Sequence, residues 1–309
     1  MGLQDAWGPL VAWYLFLAGT GAGAYMIGVI ADHMGGRYKP VAKIGICLGA
    51  PMVVVGAILL LLDLGHPARF LLAFLNPQSS MISIGIIIIS VFILLGFIHM
   101  AMLIFNKKNW WGHLWLGRIN FLFALGTTIY TGLLLGLLKA VPFWNTLTLP
   151  ILFFISALST GVGAIMVGLG FWRWIQPSLL DIKRKRVMRS SRLLNRIDIP
   201  IILIEVFVLF FYVLFMVSSS GVAVVSANYL LSGDYALAFW MGVVVIGLLV
   251  PILLEIWVLG GNKSLNQAQI LDLGVISGLC LLFGGVVLRY AILAAGANVS
   301  SVVSLFLSV

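Results

Sequence analysis

Three residues able to bind or direct a proton fall within seven positions of one another, in the segment Asp63-Leu-Gly-His66-Pro-Ala-Arg69. Histidine titrates near neutral pH, and a neighbouring carboxylate and guanidinium can hold or steer its proton. Pro67 disfavours helical geometry at His66, so a helix that reaches Asp63 should end close by. The segment therefore indicates a proton-handling element at a helix end. The alternative is a salt bridge from Asp63 to Arg69 that only fixes a loop.

The elements that carry these residues must lie in a lipid bilayer. The 309 residues are 62% hydrophobic and 9% charged, with a mean hydropathy of +1.17, whereas soluble domains are about a quarter charged. Such a composition excludes a soluble enzyme, a β-barrel porin and a nucleic-acid-binding module. Because only helices satisfy their own backbone in lipid, we predict an all-α integral membrane protein. Its eight spans are expected at about 10–31, 44–63, 81–105, 119–138, 149–172, 199–218, 236–258 and 273–295.

Basic residues are distributed unevenly between the two sides of these spans. Fifteen of the 18 Lys and Arg fall in the connections that follow odd-numbered spans, and three (Arg69, Lys139 and Arg289) fall toward the other side. The positive-inside rule then places both termini outside and the basic connections in the cytoplasm. We interpret the basic run 183–192 as a topology signal beside anionic lipid headgroups, with a protein-docking site as the alternative.

A short internal repeat indicates two similar halves. Thr20-Gly-Ala-Gly-Ala-Tyr-Met-Ile-Gly28 matches Thr160-Gly-Val-Gly-Ala-Ile-Met-Val-Gly168 at six of nine positions, 140 residues apart. Both segments lie in spans that cross the membrane in the same direction. We therefore predict two parallel four-helix bundles, formed by residues 1–140 and 141–309. Small residues such as these glycines let membrane helices approach closely.

Polar residues within the spans are functional candidates, because ionisable groups in lipid are costly. Toward the outer side these are Tyr14, Thr127, Tyr130 and Lys139, although Tyr14 could be an interfacial anchor and Lys139 could extend to the surface. Toward the inner side, Arg196, Asp198, Glu205 and Glu255 could form arginine–carboxylate pairs that staple the second bundle. The alternative is a proton or cation path through Asp198, Glu205 and Glu255. Arg289, in the outer part of the eighth span, has no obvious acid nearby, and it could face a cavity or belong to that path.

Metal and haem sites are not expected. Cys47 and Cys280 both lie within apolar runs, so they offer neither a disulfide framework nor a metal cluster. Haem b with two histidine ligands needs two facing imidazoles at similar depth. Only His33 and His99 could pair in this way, because His113 is expected in an inner loop, and His33 should lie at the membrane surface.

Five segments resemble one known family of membrane proteins. They are YLFLAGTGAGAY at 14–25, DLGHPARF at 63–70, YTGLLLGLLKAVPFWNT at 130–146, LPILFFISALSTGVGA at 149–164 and LRYAILAAG at 288–296. In order along almost the whole chain, they are similar to the NrfD/PsrC family, the membrane subunits of polysulfide-reductase-like respiratory complexes. The resemblance implies two four-helix bundles without haem or metal. It also implies a location in the cell membrane of a prokaryote.

The resemblance further implies a function. Family members exchange electrons between membrane quinone, such as menaquinone, and a ferredoxin-like iron–sulfur subunit on the outer face. That subunit usually serves a molybdopterin catalytic subunit. The chain would have no redox centre of its own, and no nucleic-acid partner is expected.

The resemblance assigns the positions of the family's quinone site to individual residues of this chain. Tyr130 aligns with the helix-four tyrosine of the family's site, and Tyr14 stands where some members have histidine. Asp63 and His66 would handle protons, as in members with the Asp-Leu-Gly-His-Pro variant. The expected quinone-binding residues are therefore Tyr14, His66, Arg69, Thr127, Tyr130 and Lys139. A proton- or ion-translocating transporter and a passive membrane anchor are the alternative functions.

Overall fold

The structure, a computed structural model, describes residues 8–36, 38–63, 81–105, 110–175, 180–219, 221–260 and 266–307. Within these ranges all regular secondary structure is helical, and eight stretches are long and apolar enough to cross a membrane. The prediction of an all-α protein with eight spans is confirmed. The helices are α1 Pro9–His33, α2 Lys39–Asp63, α3 Met81–Ile104, α4 Trp110–Gly136, α5 Thr148–Ile175, α6 Leu180–Val217, α7 Val222–Leu231, α8 Val250–Leu259 and α9 Gln267–Leu307.

Several helices extend beyond the predicted apolar spans. Helix α4 begins nine residues before the predicted position 119, and α6 begins 19 residues before 199. Helix α9 continues to Leu307, well past residue 295. Hydropathy marks only the part of a helix that lies in hydrocarbon. The backbone continues as a helix through the flanking polar residues, because Lys, Arg and Gln are good helix formers.

The seventh span is not one regular α-helix. Residues Ala238–Leu249 form a π-helical segment, which continues directly into α8. Pro251 lies just after the junction of the two segments, where its missing N–H removes one hydrogen bond from the continuous helix. The short helix α7, absent from the sequence prediction, precedes the π-helical segment and packs against α6 and α9.

Helix α1 lies at the centre of the molecule, in contact with α2, α4, α5 and α9. Its glycines make these approaches possible. A Cβ on Gly21 would lie 2.7 Å from the Gly49 carbonyl oxygen of α2, and a Cβ on Gly161 of α5 would lie 2.6 Å from the Ala24 nitrogen. Both copies of the repeated glycine motif therefore act in close helix packing.

The remaining contacts join neighbouring helices on either side of α1 and α5. Helix α3 packs against α2 and α4, whereas α9 packs against α5, α8 and the π-helical segment. Helix α6 contacts α5 and α8. The division into two bundles at residue 140 remains a prediction. The same holds for the placement of the termini outside.

Candidate functional site

The carboxylate of Asp63 faces the beginning of α1. Its Oδ1 lies 3.4 Å from the position that a Cβ on Gly8 would occupy, and Gly8 is the N-cap residue of α1. A helix N-terminus carries a partial positive charge that favours a carboxylate. Asp63 is half-buried, and no cation forms an ion pair with it among the described residues. Its predicted neighbours His66 and Arg69 lie outside the described residues.

Two buried tyrosines of different helices lie close to each other in the first half of the chain. Tyr14 of α1 is 1% exposed and Tyr130 of α4 is 8% exposed, and the two phenol groups are neighbours. The ring of Tyr130 lies directly over Gly85 of α3, where any Cβ would overlap the ring. Neither hydroxyl forms a hydrogen bond to another described residue. Among the described residues, therefore, neither tyrosine donor is used.

The threonines around Tyr130 bind to their own helix. Thr127 donates a hydrogen bond to the carbonyl oxygen of Phe123 at 2.8 Å, and Thr131 donates to the Thr128 carbonyl at 2.7 Å. These side chains are fully buried. The Thr127 hydroxyl can still accept a hydrogen bond, although its proton is engaged.

Lys139 follows the C-terminus of α4 and is exposed. Tyr130 lies nine residues earlier, so on a helix the two would be separated by about 14 Å along the axis. The exposure fits the alternative in which Lys139 extends to the membrane surface.

Three buried carboxyl groups and one arginine lie together in the second half of the chain. Asp198 of α6 lies beside Glu255 of α8 and Glu205 of its own helix. Glu255 accepts a hydrogen bond from Ser277 of α9 at 2.8 Å. Neither Asp198 oxygen has a hydrogen-bond partner of good geometry among the described residues. The three acids are 5% exposed or less.

Arg289 of α9 is the cation of this group. Glu205 interacts with it electrostatically, although the two do not form a direct salt bridge. Arg289 donates to the Gly285 carbonyl at 2.8 Å and to the Ser156 hydroxyl at 3.3 Å, while Nε and one terminal nitrogen have no partner among the described residues. A cavity of about 10 Å³, lined by Glu205 and Gly285 among others, lies nearby. It has room for about one water molecule.

These contacts correct two expectations for the second half. Arg196 is exposed, Asp198 is fully buried, and Arg196 forms no ion pair among the described residues, so it does not take part in the expected arginine–carboxylate staple. Arg289 was expected to lack a nearby acid, but Glu205 of α6 provides one. The two errors have different causes. Arg196 and Asp198 are two residues apart on α6, so their side chains point in different directions. Glu205 and Arg289 lie on different helices, and their approach depends on how those helices are rotated.

The structure also brings together four groups that sequence analysis did not connect. The Tyr25 hydroxyl and His99 Nδ1 are 2.6 Å apart, and the His99 and His113 rings are in contact, with centroids 4.6 Å apart. His113 Nδ1 lies 3.3 Å from an Asp32 carboxylate oxygen. Rings in direct contact leave no space for a porphyrin between them.

One expectation for the histidines was wrong, because His113 lies within α4 rather than in a loop. As a result, His113 rather than His33 is the histidine that contacts His99. His33 instead accepts a hydrogen bond from Arg118 at 3.2 Å. Placing the start of α4 at Trp110 instead of at residue 119 would have predicted His113 correctly, because it then lies about one turn inside the helix.

The chain matches the family model described as "Polysulphide reductase, NrfD" over residues 2–300. One of the polysulfide reductase chains of Wolinella succinogenes is 30% identical to it, and the alignment covers 94% of each of the two proteins. Protein NrfD of Escherichia coli is 26% identical, again over 94% of both proteins. One of the selenate reductase subunits of Mesobacillus selenatarsenatis is 22% identical, with 93% of this chain and 72% of that protein aligned.

The match extends from the beginning of the chain to within nine residues of its end, and it includes at least part of every element described above. The eight apolar helices and these alignments agree on the class of protein. The chain is an integral membrane protein that belongs to the NrfD polysulphide reductase family.

Proposed function

We propose that this chain is the quinone-reactive membrane subunit of a respiratory oxidoreductase complex. It exchanges electrons between a membrane quinone, such as menaquinone, and an iron–sulfur subunit. Two relatives support this assignment by their names, since one is a component of a polysulfide reductase and another is a component of a selenate reductase. The chain by itself performs one half of the reaction and requires the partner for the other half.

The observation that carries the proposal is the pair of buried hydroxyls on Tyr14 and Tyr130. A buried phenol without a partner is costly, because lipid and apolar side chains cannot accept its hydrogen bond. A quinone carbonyl is a hydrogen-bond acceptor, and its ring fits a site walled by apolar helices. We therefore place the quinone head group beside these two tyrosines, with Thr127 as an acceptor for quinol.

Quinol oxidation releases two electrons and two protons, so the site also needs a proton acceptor. Asp63 is a half-buried carboxylate at the same end of the first helices, and it has no cation partner among the described residues. We assign proton transfer to Asp63 together with His66. Arg69 and Lys139 would complete the positive rim of the quinone site. The electrons pass to the partner's cluster, and the reverse steps apply to quinone reduction.

The proposed arrangement in the cell combines the orientation that the charge pattern predicts with the partners that the family resemblance implies. Both termini lie on the outer face of a prokaryotic cell membrane, and residues 1–140 form the bundle that binds quinone. A ferredoxin-like subunit docks on the outer face, close to the quinone, and connects to a molybdopterin catalytic subunit. Residues 141–309 form the second bundle, and lipid surrounds both.

Direct quinone binding tests the proposal. Quenching of tryptophan fluorescence by a menaquinone analogue should saturate for the purified chain in lipid nanodiscs. The double variant Tyr14→Phe/Tyr130→Phe should bind at least tenfold more weakly. Tyr212→Phe is the matched control, because Tyr212 is equally buried but donates to the Phe143 carbonyl at 2.8 Å. Equal affinities for the double variant and the control would contradict the proposed site.

A second candidate function is proton or ion translocation through the second half of the chain. The observation that favours it is the sequence of charged groups on α6, α8 and α9, from Asp198 and Glu255 through Glu205 to Arg289. Two adjacent buried carboxyls repel each other when both are ionised, so the pair tends to keep one proton, which a path could pass on. The variant Glu205→Gln separates the two functions. It should abolish quinol-driven acidification by proteoliposomes and leave electron transfer intact if the path exists.

A further inference from the structure

Four ionisable side chains form a buried cluster that neither proposed function uses. We call Tyr25, Asp32, His99 and His113 the inner histidine cluster. It lies where α1, α3 and α4 meet, and Tyr25, His99 and His113 are 4% exposed or less. Asp32, in the last turn of α1, has a side chain that is 12% exposed. Burial therefore increases from the helix end toward the middle of the membrane.

The contacts within the cluster follow a single order. Asp32 meets His113 at 3.3 Å, the His113 ring touches the His99 ring, and His99 meets the Tyr25 hydroxyl at 2.6 Å. Tyr25 and Asp32 are seven residues apart on α1, so the cluster spans about 10 Å along the helix axis. Gly117 of α4 allows this arrangement, because a Cβ there would lie 3.1 Å from a His99 ring carbon.

A structural role alone does not account for these residues. Buried charged or polar clusters often stabilise a protein less than apolar residues of similar volume would. Ionisable groups within a span are expensive and generally mark ion or proton sites. The fully buried Asn120 amide lies beside Tyr25 but has no hydrogen bond of good geometry among the described residues. The Asn120 amide is therefore a further buried polar group beside the cluster.

The chemistry of the cluster suits one exchangeable proton. Imidazole binds a proton near neutral pH, and two imidazoles in contact disfavour a second positive charge. Asp32 attracts the proton to His113, and the Tyr25 hydroxyl can donate to His99 when that ring is neutral. The titratable groups facing the two imidazoles in these contacts are Tyr25 and Asp32 on α1. The nearby Arg118 of α4 contacts His33 instead.

We propose that the inner histidine cluster is a proton-uptake site that opens at the Asp32 end of α1. This is the end that the charge pattern assigns to the cytoplasm, and it lies opposite the end that carries Asp63. A groove of about 540 Å³, lined by His33 and Arg118 among others, lies at the same end of α1. The proposal does not depend on quinone chemistry, since the cluster binds its proton with or without a bound quinone.

Nitrogen NMR of the full chain, labelled with ¹⁵N-histidine in lipid nanodiscs, tests the proposal. The chain has four histidines, and the variants His33→Gln and His66→Gln identify two of the signals. We expect the His99 and His113 signals to titrate together between pH 5 and 9, with uptake of one proton for the pair. Both rings remaining in one protonation state over this range would overturn the proposal.

Conservative variants separate proton uptake from packing. Tyr25→Phe keeps the ring and its contact with Phe92, and it should change the proton affinity of the pair at least threefold. Tyr212→Phe is again the control and should leave that affinity unchanged. If the titration in Tyr25→Phe matched that of the control, the tyrosine would only fill space. Tyr25 would then not belong to the proposed proton-uptake site.

A one-sided pH jump tests the direction of access. In proteoliposomes with uniform orientation, infrared bands of imidazole and carboxylate should respond quickly only when the side bearing the α1–α2 connection is acidified. Asp32→Asn should slow this response at least tenfold. A fast response from the opposite side, or an Asp32→Asn rate equal to wild type, would contradict access through Asp32.

Discussion

Thr20 of α1 donates a hydrogen bond to the hydroxyl of Thr160 of α5 over 2.9 Å. The two residues occupy the first position of each copy of the repeated glycine motif, 140 residues apart. Thr160 in turn donates to the Ser156 carbonyl at 2.7 Å. Equivalent positions of the repeat therefore contact each other directly, and this bond joins the two halves of the chain within the membrane.

We predict that Thr20→Val lowers the free energy of unfolding by about 0.5–1.5 kcal/mol, the usual range for a hydrogen bond between membrane helices. Thermal unfolding of the purified chain in detergent measures the loss. Thr131→Val is the control for the residue type, because Thr131 binds only within α4. A double-mutant cycle with Thr160→Val should show a coupling energy between the two residues. If the two changes in the free energy of unfolding were additive, the contact would contribute nothing to stability.

Gly161→Ala should destabilise the packing of α5 against α1. The added methyl would lie 2.6 Å from backbone atoms of Ala24 and Gly23, so the helices must move apart. Overpacking of this kind costs about 1–3 kcal/mol. Gly112→Ala is the matched control, since nothing lies within 4 Å of its Cβ position, and it should be neutral or slightly stabilising. Equal melting temperatures for the two variants would exclude a close α1–α5 contact.

Tyr130→Phe removes one hydrogen-bond donor and keeps the ring over Gly85. The loss of one bond to a quinone carbonyl should weaken affinity by about 1–2 kcal/mol, or roughly 5- to 30-fold. Quinone titration of the purified variant measures this change. Wild-type affinity would identify Tyr130 as a packing residue and would require a different position for the quinone.

Asp63→Asn should reduce quinol-coupled turnover by roughly 100-fold or more, the usual effect of losing a group that transfers protons. We expect the same of His66→Ala. Assembly of the complex should be unaffected, as judged by copurification of the partner subunits. Asp234→Asn is the control, because that carboxylate is exposed and lies on the predicted outer side. Full turnover of both variants would remove Asp63 and His66 from proton transfer.

The partner subunit should dock on the outer, charge-poor face, because the proposed quinone site lies at that end of the first helices. An amine-reactive crosslinker applied to the intact complex should join Lys139, which is exposed, to the iron–sulfur subunit. Crosslinks from that subunit to the basic run 183–192 would place it on the opposite face. In that case the basic run would be a docking site rather than a topology signal.

The number and order of the membrane-spanning helices could be predicted from the sequence by itself. Each membrane helix satisfies its own backbone hydrogen bonds and needs about 20 apolar residues, so the signal for each span is local. The family could be recognised for a similar reason, since segments such as Asp63-Leu-Gly-His66 and the one beginning at Tyr130 are contiguous in the chain. The glycine repeat likewise predicted close packing in α1 and α5.

Which polar groups meet inside the membrane depended on the tertiary structure alone. Glu205 faces Arg289 from another helix, and His99 touches His113 rather than His33. Such pairs are set by how each helix rotates and how closely the glycines let its neighbours approach. No local pattern encodes that rotation, because a span that is apolar on every side gives little indication of which face turns inward.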